Sequence, residues 1–279
     1  MTNFSRIAAL ALVALFSLAG GYVHADDGCS NRTLHGRYGV QVSGTSAALG
    51  MDSAVFDFVA DGRGAIPSGS ATEVFRRSLD LVNITFTGTY SVNADCTGTL
   101  TINDNLGGTT VDTFVVSEDG RRIVLADDTA LGNVLTGTGE RQSRDADKAC
   151  SAESLKGQFS LVETGIEDLV PFTIVGRLTA DGKGNVTSGT ATIAQAPVVI
   201  LNEPAVLAAN QSFTGTYTVN ADCSGTLALV QGTTPLRSFS LVLADSGRKI
   251  FLADVRDGDA IDSLSAVAQK LTSRDEDEE

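Results

Sequence analysis

The 279-residue chain contains no tryptophan, four tyrosines and two histidines. Tyr22 and His24 fall in an N-terminal stretch that reads as a removable leader, so His35 is the one histidine expected in the mature chain. Ser-His-Asp and Cys-His machinery both need a histidine base. No GxSxG elbow occurs, and the second half of the chain carries Lys156 where the first carries His35. His35 therefore reads as a surface residue near a strand start. Neither a GxxxxGK[ST] loop nor a complete GxGxxG is present, which removes the two phosphate-cradling motifs. Aromatic platforms for sugars are also scarce, since Tyr90 and Tyr217 fall on the apolar face of their strands.

Positive charge is in short supply as well. The chain has 20 Lys+Arg against 34 Asp+Glu, a formal charge of −14. That balance opposes binding to phosphate backbones, where affinity comes mainly from Lys and Arg, and it repels anionic membranes. No nucleic-acid partner is expected. The one long apolar run, Ile7–Gly20, has 14 residues, whereas a spanning helix needs about 20. No membrane span is expected.

That run follows the basic start MTNFSR and ends in Val23-His24-Ala25, the pattern of a secretory signal peptide cleaved after Ala25. Residues 1–25 are read as the leader and the protein as secreted or periplasmic. Cleavage removes Arg6 alone from the charged residues and leaves a formal charge of −15. Cysteine does not directly follow the run, which argues against a lipid anchor. Cys29, Cys96, Cys150 and Cys223 contain no CxxC among them, and in an exported chain they favour disulfides over metal sites. Four cysteines allow three pairings.

The chain is written twice. "FTGTYSVNADCTGTL" (Phe86–Leu100) and "FTGTYTVNADCSGTL" (Phe213–Leu227) agree at 13 of 15 positions. Around them Cys29-Ser-Asn-Arg-Thr-Leu matches Cys150-Ser-Ala-Glu-Ser-Leu, "VADGRG" matches "TADGKG", and "GRRIVLAD" matches "GRKIFLAD". We divide the chain into a first module at 26–142, a linker at 143–149, a second module at 150–272 and an acidic tail at 273–279. Within a module the apolar period is two: Phe86, Gly88, Tyr90 and Val92 alternate with Thr87, Thr89, Ser91 and Asn93, the signature of half-buried strands. Asp-Gly turns at Asp61–Gly62 and Asp119–Gly120 mark hairpins. The expectation is all-β: a tandem repeat of two eight-stranded antiparallel up-and-down β-barrels. A two-sheet sandwich is the competitor, disfavoured because the connections look short and sequential. The matched placement of cysteines around one strand–turn unit leads us to expect Cys29–Cys96 and Cys150–Cys223.

Asp61-Gly-Arg-Gly, Asp181-Gly-Lys-Gly and Gly107–Asp112 are fragments of calcium-loop patterns without the further positions such loops require. Asp257, Asp259 and Asp262 cluster near the end of the second module. Turn chemistry accounts for all of these, and neither metal nor cofactor is expected. No catalytic residue is singled out, although carboxylates are too numerous for counting to exclude an acid pair.

The modules differ most after their third strand, where the second carries seven more residues within "APVVILNEPAVLAAN" (Ala196–Asn210). A loop this apolar needs covering, because exposed apolar surface costs about 25 cal/mol per Å². Val198, Val199, Ile200, Val206 and Leu207 are the candidate contact for a small apolar ligand or a protein partner. Packing of the loop on its own barrel is the alternative. Phe56 and Phe58 face Gly176 and Leu178 in the repeat, which leaves more room in the second module if that strand face points inward. Asp57 and Arg177 also occupy equivalent positions, so the modules differ in charge.

The repeated GTY-[ST]-VNADC-[ST]-GTL resembles the mark of a group of exported bacterial proteins of uncharacterised function. In architecture the expected module resembles the calycin-type barrels of lipocalins, and those of allene oxide cyclase and dirigent proteins. That resemblance implies a barrel able to enclose one small ligand and transfers no site residue. Three functions follow: a non-catalytic exported barrel binding a small apolar molecule, a cyclase- or isomerase-like enzyme, and a surface adhesive or scaffold protein. A buried polar residue facing a cavity favours the second, and a solid barrel the third.

Overall fold

Alternating sequence becomes strand wherever one face can be buried, and here the strands close on themselves. A computed structural model describes residues 28–46, 50–75, 80–127, 134–143, 149–167, 170–197, 205–255 and 263–271. The leader, Val198–Ile200, Asp257–Asp262, residues 144–148 of the linker and the acidic tail lie outside the described residues. Barrel one comprises β1 (His35–Ser46), β2 (Gly50–Asp61), β3 (Ala65–Phe75), β4 (Asp80–Val92), β5 (Thr97–Asp104), β6 (Thr109–Val116), β7 (Arg122–Asp127) and β8 (Val134–Ser143). Barrel two comprises β9 (Lys156–Glu167), β10 (Val170–Asp181), β11 (Asn185–Gln195), β12 (Val206–Val219), β13 (Ser224–Gln231), β14 (Thr234–Ala244), β15 (Lys249–Asp254) and β16 (Ser263–Lys270). Each strand pairs antiparallel with its sequence neighbours, and each set closes when first and last strands pair, β1 with β8 and β9 with β16. Closure removes the exposed edges that a sandwich would leave.

Each barrel has its own core. In barrel one the inward set includes Tyr38, Val40, Phe56, Phe58, Phe86, Tyr90, Leu100 and Phe114. In barrel two it includes Phe159, Leu161, Phe213, Tyr217, Leu227, Phe239 and Leu241. The Tyr38 and Phe58 rings stack with centroids 5.3 Å apart.

One end of each barrel is sealed by the twice-used stretch. A 3-10 turn at Asn31–Thr33 precedes β1, and the Tyr90 hydroxyl reaches across the barrel to donate to the carbonyls of Leu34 (2.7 Å) and Asn31 (3.1 Å). The Asn31 carboxamide oxygen accepts from Val92 N–H at 2.8 Å, and Cys29 N–H donates to Ala94 at 3.1 Å. Cys29–Cys96 pins the same turn, and Cys150–Cys223 repeats this in barrel two, where Tyr217 donates to Ala152 at 3.1 Å. Both turn cysteines sit in the left-handed region, Cys96 at φ 67° and Cys223 at φ 71°, a conformation uncommon outside glycine and asparagine. The aspartates of these hairpins serve their own backbone. Asp61 Oδ1 accepts from Arg63 and Ala65 N–H at 2.7 and 2.9 Å, and Asp95 Oδ1 accepts from the Thr97 N–H and hydroxyl.

The barrels lie side by side through a seam built from their outer faces. Val55 of barrel one packs with Val242, Ala244, Phe251 and Ala253 of barrel two. Gln41, 8% exposed, donates from Nε2 to the carbonyls of Leu252 (2.7 Å) and Ala266 (3.1 Å). Lys249 pairs with Glu140 and the Ser246 hydroxyl donates to Gln142 near the sealed ends, while Ser240 meets Thr72 further along. Sealed ends therefore share one side and open ends the other. At Gly39 the approach is so close that a Cβ would fall 2.6 Å from the Leu243 oxygen and 2.7 Å from Val242 Cγ1.

Two outcomes follow. Replacing Cys29 and Cys96 together with serine should lower the unfolding free energy of barrel one by about 4 kcal/mol in the chain-entropy model, read as a lower denaturant midpoint that reductant no longer shifts for that barrel. Gly39→Val should open the seam without unfolding either barrel, giving a larger radius of gyration in solution scattering with an unchanged far-ultraviolet spectrum.

Candidate functional site

Opposite its sealed end each barrel has a mouth where the described inward residues leave a cavity, and those residues carry different chemistry in the two modules. Barrel one opens on a cavity of about 220 Å³. Its floor is apolar, with Val42, Phe56, Ile84, Phe86 and Leu125 among the lining residues. Five carboxylates line it as well: Asp52 on β2, Glu73 on β3, Asp104 on β5, Asp112 on β6 and Asp127 on β7. Strand parity explains the arrangement. Each is an inward position at the mouth end of its strand, and Asp112 and Asp127 are direct cross-strand partners.

Burial there opposes ionisation. Asp52, 6% exposed, is pushed up to about 7, first by desolvation and then by the charges of Glu73 and Asp127. Asp112, 5% exposed, is likewise raised to about 7 by burial and by Asp127. Glu73 is raised by burial and by Asp104. Asp52 Oδ1 is buried with no hydrogen-bond partner. Asp104 differs in being held by its hairpin, its Oδ1 accepting from Leu106 and Gly108 N–H at 2.7 and 2.9 Å.

Barrel two opens on a cavity of about 300 Å³ lined by Leu161, Ile174, Ala191, Ile193, Phe213 and Leu229, among others. At the positions of Asp52, Glu73, Asp104 and Asp112 stand Phe172, Ile193, Gln231 and Phe239. Two buried carboxylates remain, Glu163 and Asp254, and Arg237 answers both. Its Nε lies 3.1 Å from Glu163 Oε1 and 3.9 Å from Asp254 Oδ2. The same guanidinium sits 5.2 Å from the Phe172 ring centroid. The cavity is thus apolar with an internally balanced charge cluster. Gly176 stands where Phe56 narrows the first barrel, in keeping with the larger volume.

Val206 and Leu207 open β12 at this mouth, pairing with Gln195 and Ala194. They are 47% and 72% exposed, and neither lines the cavity, whereas the next residue, Ala208, does. Val198, Val199 and Ile200 belong to the connection between Gln195 and Val206, outside the described residues. Sequence reading named Asp112 only as the end of the Gly107–Asp112 fragment, put down to turn chemistry, and singled out none of the other carboxylates that converge in barrel one. A signal was present: four positions acidic in one module and uncharged in the other. Using it requires knowing which face of five strands points inward.

The remaining candidates carry less. His35 is exposed at the start of β1. A polar cleft of about 430 Å³ beside the seam contains Arg121, Arg122 and Arg141, but also Asp119, Glu140 and Asp245. Asp57, raised to about 6 mainly by burial, faces away from the barrel interior and pairs with Arg37 at 3.1 Å. Among the described residues no group of three or more His, Cys, Asp or Glu side chains is placed to hold a metal ion. Among them, too, no helix is long and apolar enough to cross a membrane.

The raised carboxyls carry a stability consequence. Asp52 and Asp112 hold protons in the folded state up to about pH 7, against an unfolded value of 3.8. Their contribution to stability is full below the unfolded value and is lost as pH rises through the folded one. Barrel one should therefore soften between pH 4 and pH 8. Asp52→Asn should raise its unfolding free energy at pH 8 by roughly 1–3 kcal/mol, at about 1.4 kcal/mol per pKa unit, and change little at pH 4. Chemical denaturation at the two pH values measures this.

No protein-family model and no curated protein sequence matches this chain. Among solved structures it is similar to isotype 1 transferrin binding protein B from serogroup B Neisseria meningitidis, at 6% identity and a TM-score of 0.30. That likeness covers 79% of this chain and 66% of the other, so the chain spans just under two thirds of its length. Kievitone hydratase from Nectria haematococca is similar over 89% of this chain and 92% of its own, at 9% identity and a TM-score of 0.25. A protein of the DUF3598 family from Nostoc punctiforme is similar over 86% of this chain and 97% of its own, at 12% identity and a TM-score of 0.24. At such scores these likenesses carry no argument about activity, and the chain's own geometry must supply it: two antiparallel eight-stranded barrels in tandem, each stapled by a disulfide and each with a cavity lined by its described residues.

Proposed function

We propose that this is an exported, non-catalytic binding protein whose second barrel holds a small apolar molecule at its open mouth. The observation that carries the reading is the barrel-two cavity of about 300 Å³, with aliphatic and aromatic walls and its charges paired among themselves. Ligand sites are mostly apolar and concave, with few polar groups to orient the guest. Glu163, Gln211, Gln231 and Arg237 are those groups here. Val206 and Leu207 open β12 at this mouth, and Val198, Val199 and Ile200 lie a few residues before them in the sequence, so the apolar segment is in sequence reach of the ligand. The pair of disulfides is consistent with an extracellular or periplasmic protein, and the leader pattern supports export.

A cyclase- or isomerase-like enzyme is the second reading, favoured by Asp52 and Asp112, buried acids with pKa near 7 beside a cavity. Such groups suit proton transfer at neutral pH. The same cavity offers Thr110 as the one hydroxyl among its described lining residues and no Lys, Arg or His. Beyond the protonated forms of these two acids, donors able to stabilise a developing oxyanion are thus scarce, and binding is the stronger reading.

Titration with N-phenyl-1-naphthylamine, a neutral apolar dye, tests the proposal. The protein should bind it saturably with enhanced fluorescence. Ala208→Trp, which fills the mouth of barrel two, should weaken binding at least tenfold while leaving the melting profile intact. Equal binding by this variant, or no binding by the parent protein, overturns the reading.

A further inference from the structure

Barrel one presents the reverse problem: it gathers carboxylates around its cavity. Asp52, Glu73, Asp104, Asp112 and Asp127 converge on one small cavity, and no Lys, Arg or His is among its described lining residues. Like charges in a space of low dielectric repel strongly, so an arrangement of this kind is costly unless something offsets it. An independent sign is Asp52 itself. It is more than nine-tenths buried, it lines the cavity, and its Oδ1 has no hydrogen-bond partner. A buried acceptor left unmade typically costs 1–3 kcal/mol.

The second barrel shows how the same scaffold resolves such a cluster. There Arg237 occupies the position of Thr110 and bonds to Glu163 beside Asp254. Its guanidinium also lies over Phe172, which takes the place of Asp52. Barrel two carries its cation on its own chain, over an aromatic ring. Barrel one keeps more acids, loses the arginine, and retains rings: Phe56 and Phe86 line its cavity edge to face, with centroids 6.1 Å apart.

We propose that the open end of barrel one binds a small organic ammonium cation, with Asp52 and Asp112 meeting the charged nitrogen and Phe56 and Phe86 its carbon body. A metal ion fits less well, because no trio of these carboxylates is close enough to share one. An amine with an aromatic or alkyl body uses both halves of the cavity, the acidic wall by ion pairing and the rings by cation–π contact, about 0.5–2 kcal/mol. The volume of about 220 Å³ suits a small amine. This site is independent of whatever fills barrel two. Among the described residues, the titratable groups facing the cavity are the five carboxylates on β2, β3, β5, β6 and β7. The described lining residues of β1, β4 and β8, which are Val42, Ile84, Phe86 and Leu135, carry no charge. Binding should draw Asp52 and Asp112 into their ionised forms and so release protons near pH 7.

Calorimetric titration of the full protein with phenethylammonium chloride tests the proposal, with neutral 2-phenylethanol and calcium chloride as comparison probes. At pH 8 phenethylammonium should bind saturably and at least tenfold more tightly than 2-phenylethanol. Asp52→Asn and Asp112→Asn should each weaken it tenfold or more, as should lowering the pH to 5. At pH 7, titration in two buffers of different ionisation enthalpy should show proton release. Unchanged melting of the variants at pH 5 separates lost binding from lost fold. No binding at pH 8, equal binding of the alcohol, or unaffected binding in both variants overturns the proposal. Calcium binding that blocks phenethylammonium makes this a metal site instead. Arg76 and Arg77 lie in the connection between β3 and β4, outside the described residues. If phenethylammonium binds only after Arg76→Ala and Arg77→Ala, the chain supplies its own cation and the proposal falls.

Discussion

Everything in this protein depends on closing one end of a barrel. A closed eight-stranded sheet has no edges but two ends, and an end left open exposes core. Here the twice-written stretch supplies a tyrosine whose hydroxyl reaches the turn before the first strand. It also supplies a cysteine that ties that turn to the same place. Burial pushes the Tyr90 hydroxyl up to about 12, so it remains a donor well above neutral pH. With one end sealed in both modules, binding chemistry has only the opposite end to occupy. The repeat is strict where it seals and loose where it opens.

That contrast explains which features could be read from residues alone. The sealed end is local: Tyr90, Asn93, Asp95 and Cys96 lie within seven positions of one another, and their alternation and turn chemistry are visible in one dimension. Barrel against sandwich followed from short sequential connections, and the pairing of β1 with β8 bears it out. The mouths are non-local. Asp52 and Asp127 are 75 positions apart in sequence and become neighbours only when the sheet closes. The apolar insertion was conspicuous because its composition departs from that of a loop. Its described residues Val206 and Leu207 sit at the rim, and the cavity wall begins at Ala208.

The two modules show how far a duplicated barrel can diverge without touching its frame. Replacing Asp52, Glu73 and Asp112 by Phe172, Ile193 and Phe239 exchanges desolvated charge for apolar burial, which favours folding. Thr110 to Arg237 then places a guanidinium beside Glu163 and Asp254. On that physical ground the mouth of barrel two favours folding more than that of barrel one, where buried acids are gathered. Stability forgone in one module while the other shows the alternative is a pattern associated with functional sites rather than with packing.

The seam has a final consequence for how many barrels can be joined. It is a heterologous contact, the β1–β2 face of one module against the β14–β15 face of the next, and such contacts between like units are open-ended in principle. Matching faces remain uncovered on both flanks. Val115 and Val124 stand where barrel two has Val242 and Phe251, and Val162 and Val175 stand where barrel one has Gln41 and Val55; all four are exposed. Yet the residue matching Gly39 is Ser160, whose Cβ occupies the space that the close approach requires. Val162 also cannot donate the hydrogen bonds that Gln41 makes. Ser160 and Val162 thus make this face of barrel two a poorer match for a β14–β15 surface than the β1–β2 face that forms the seam, so duplication of the barrel did not duplicate the surface that joins it.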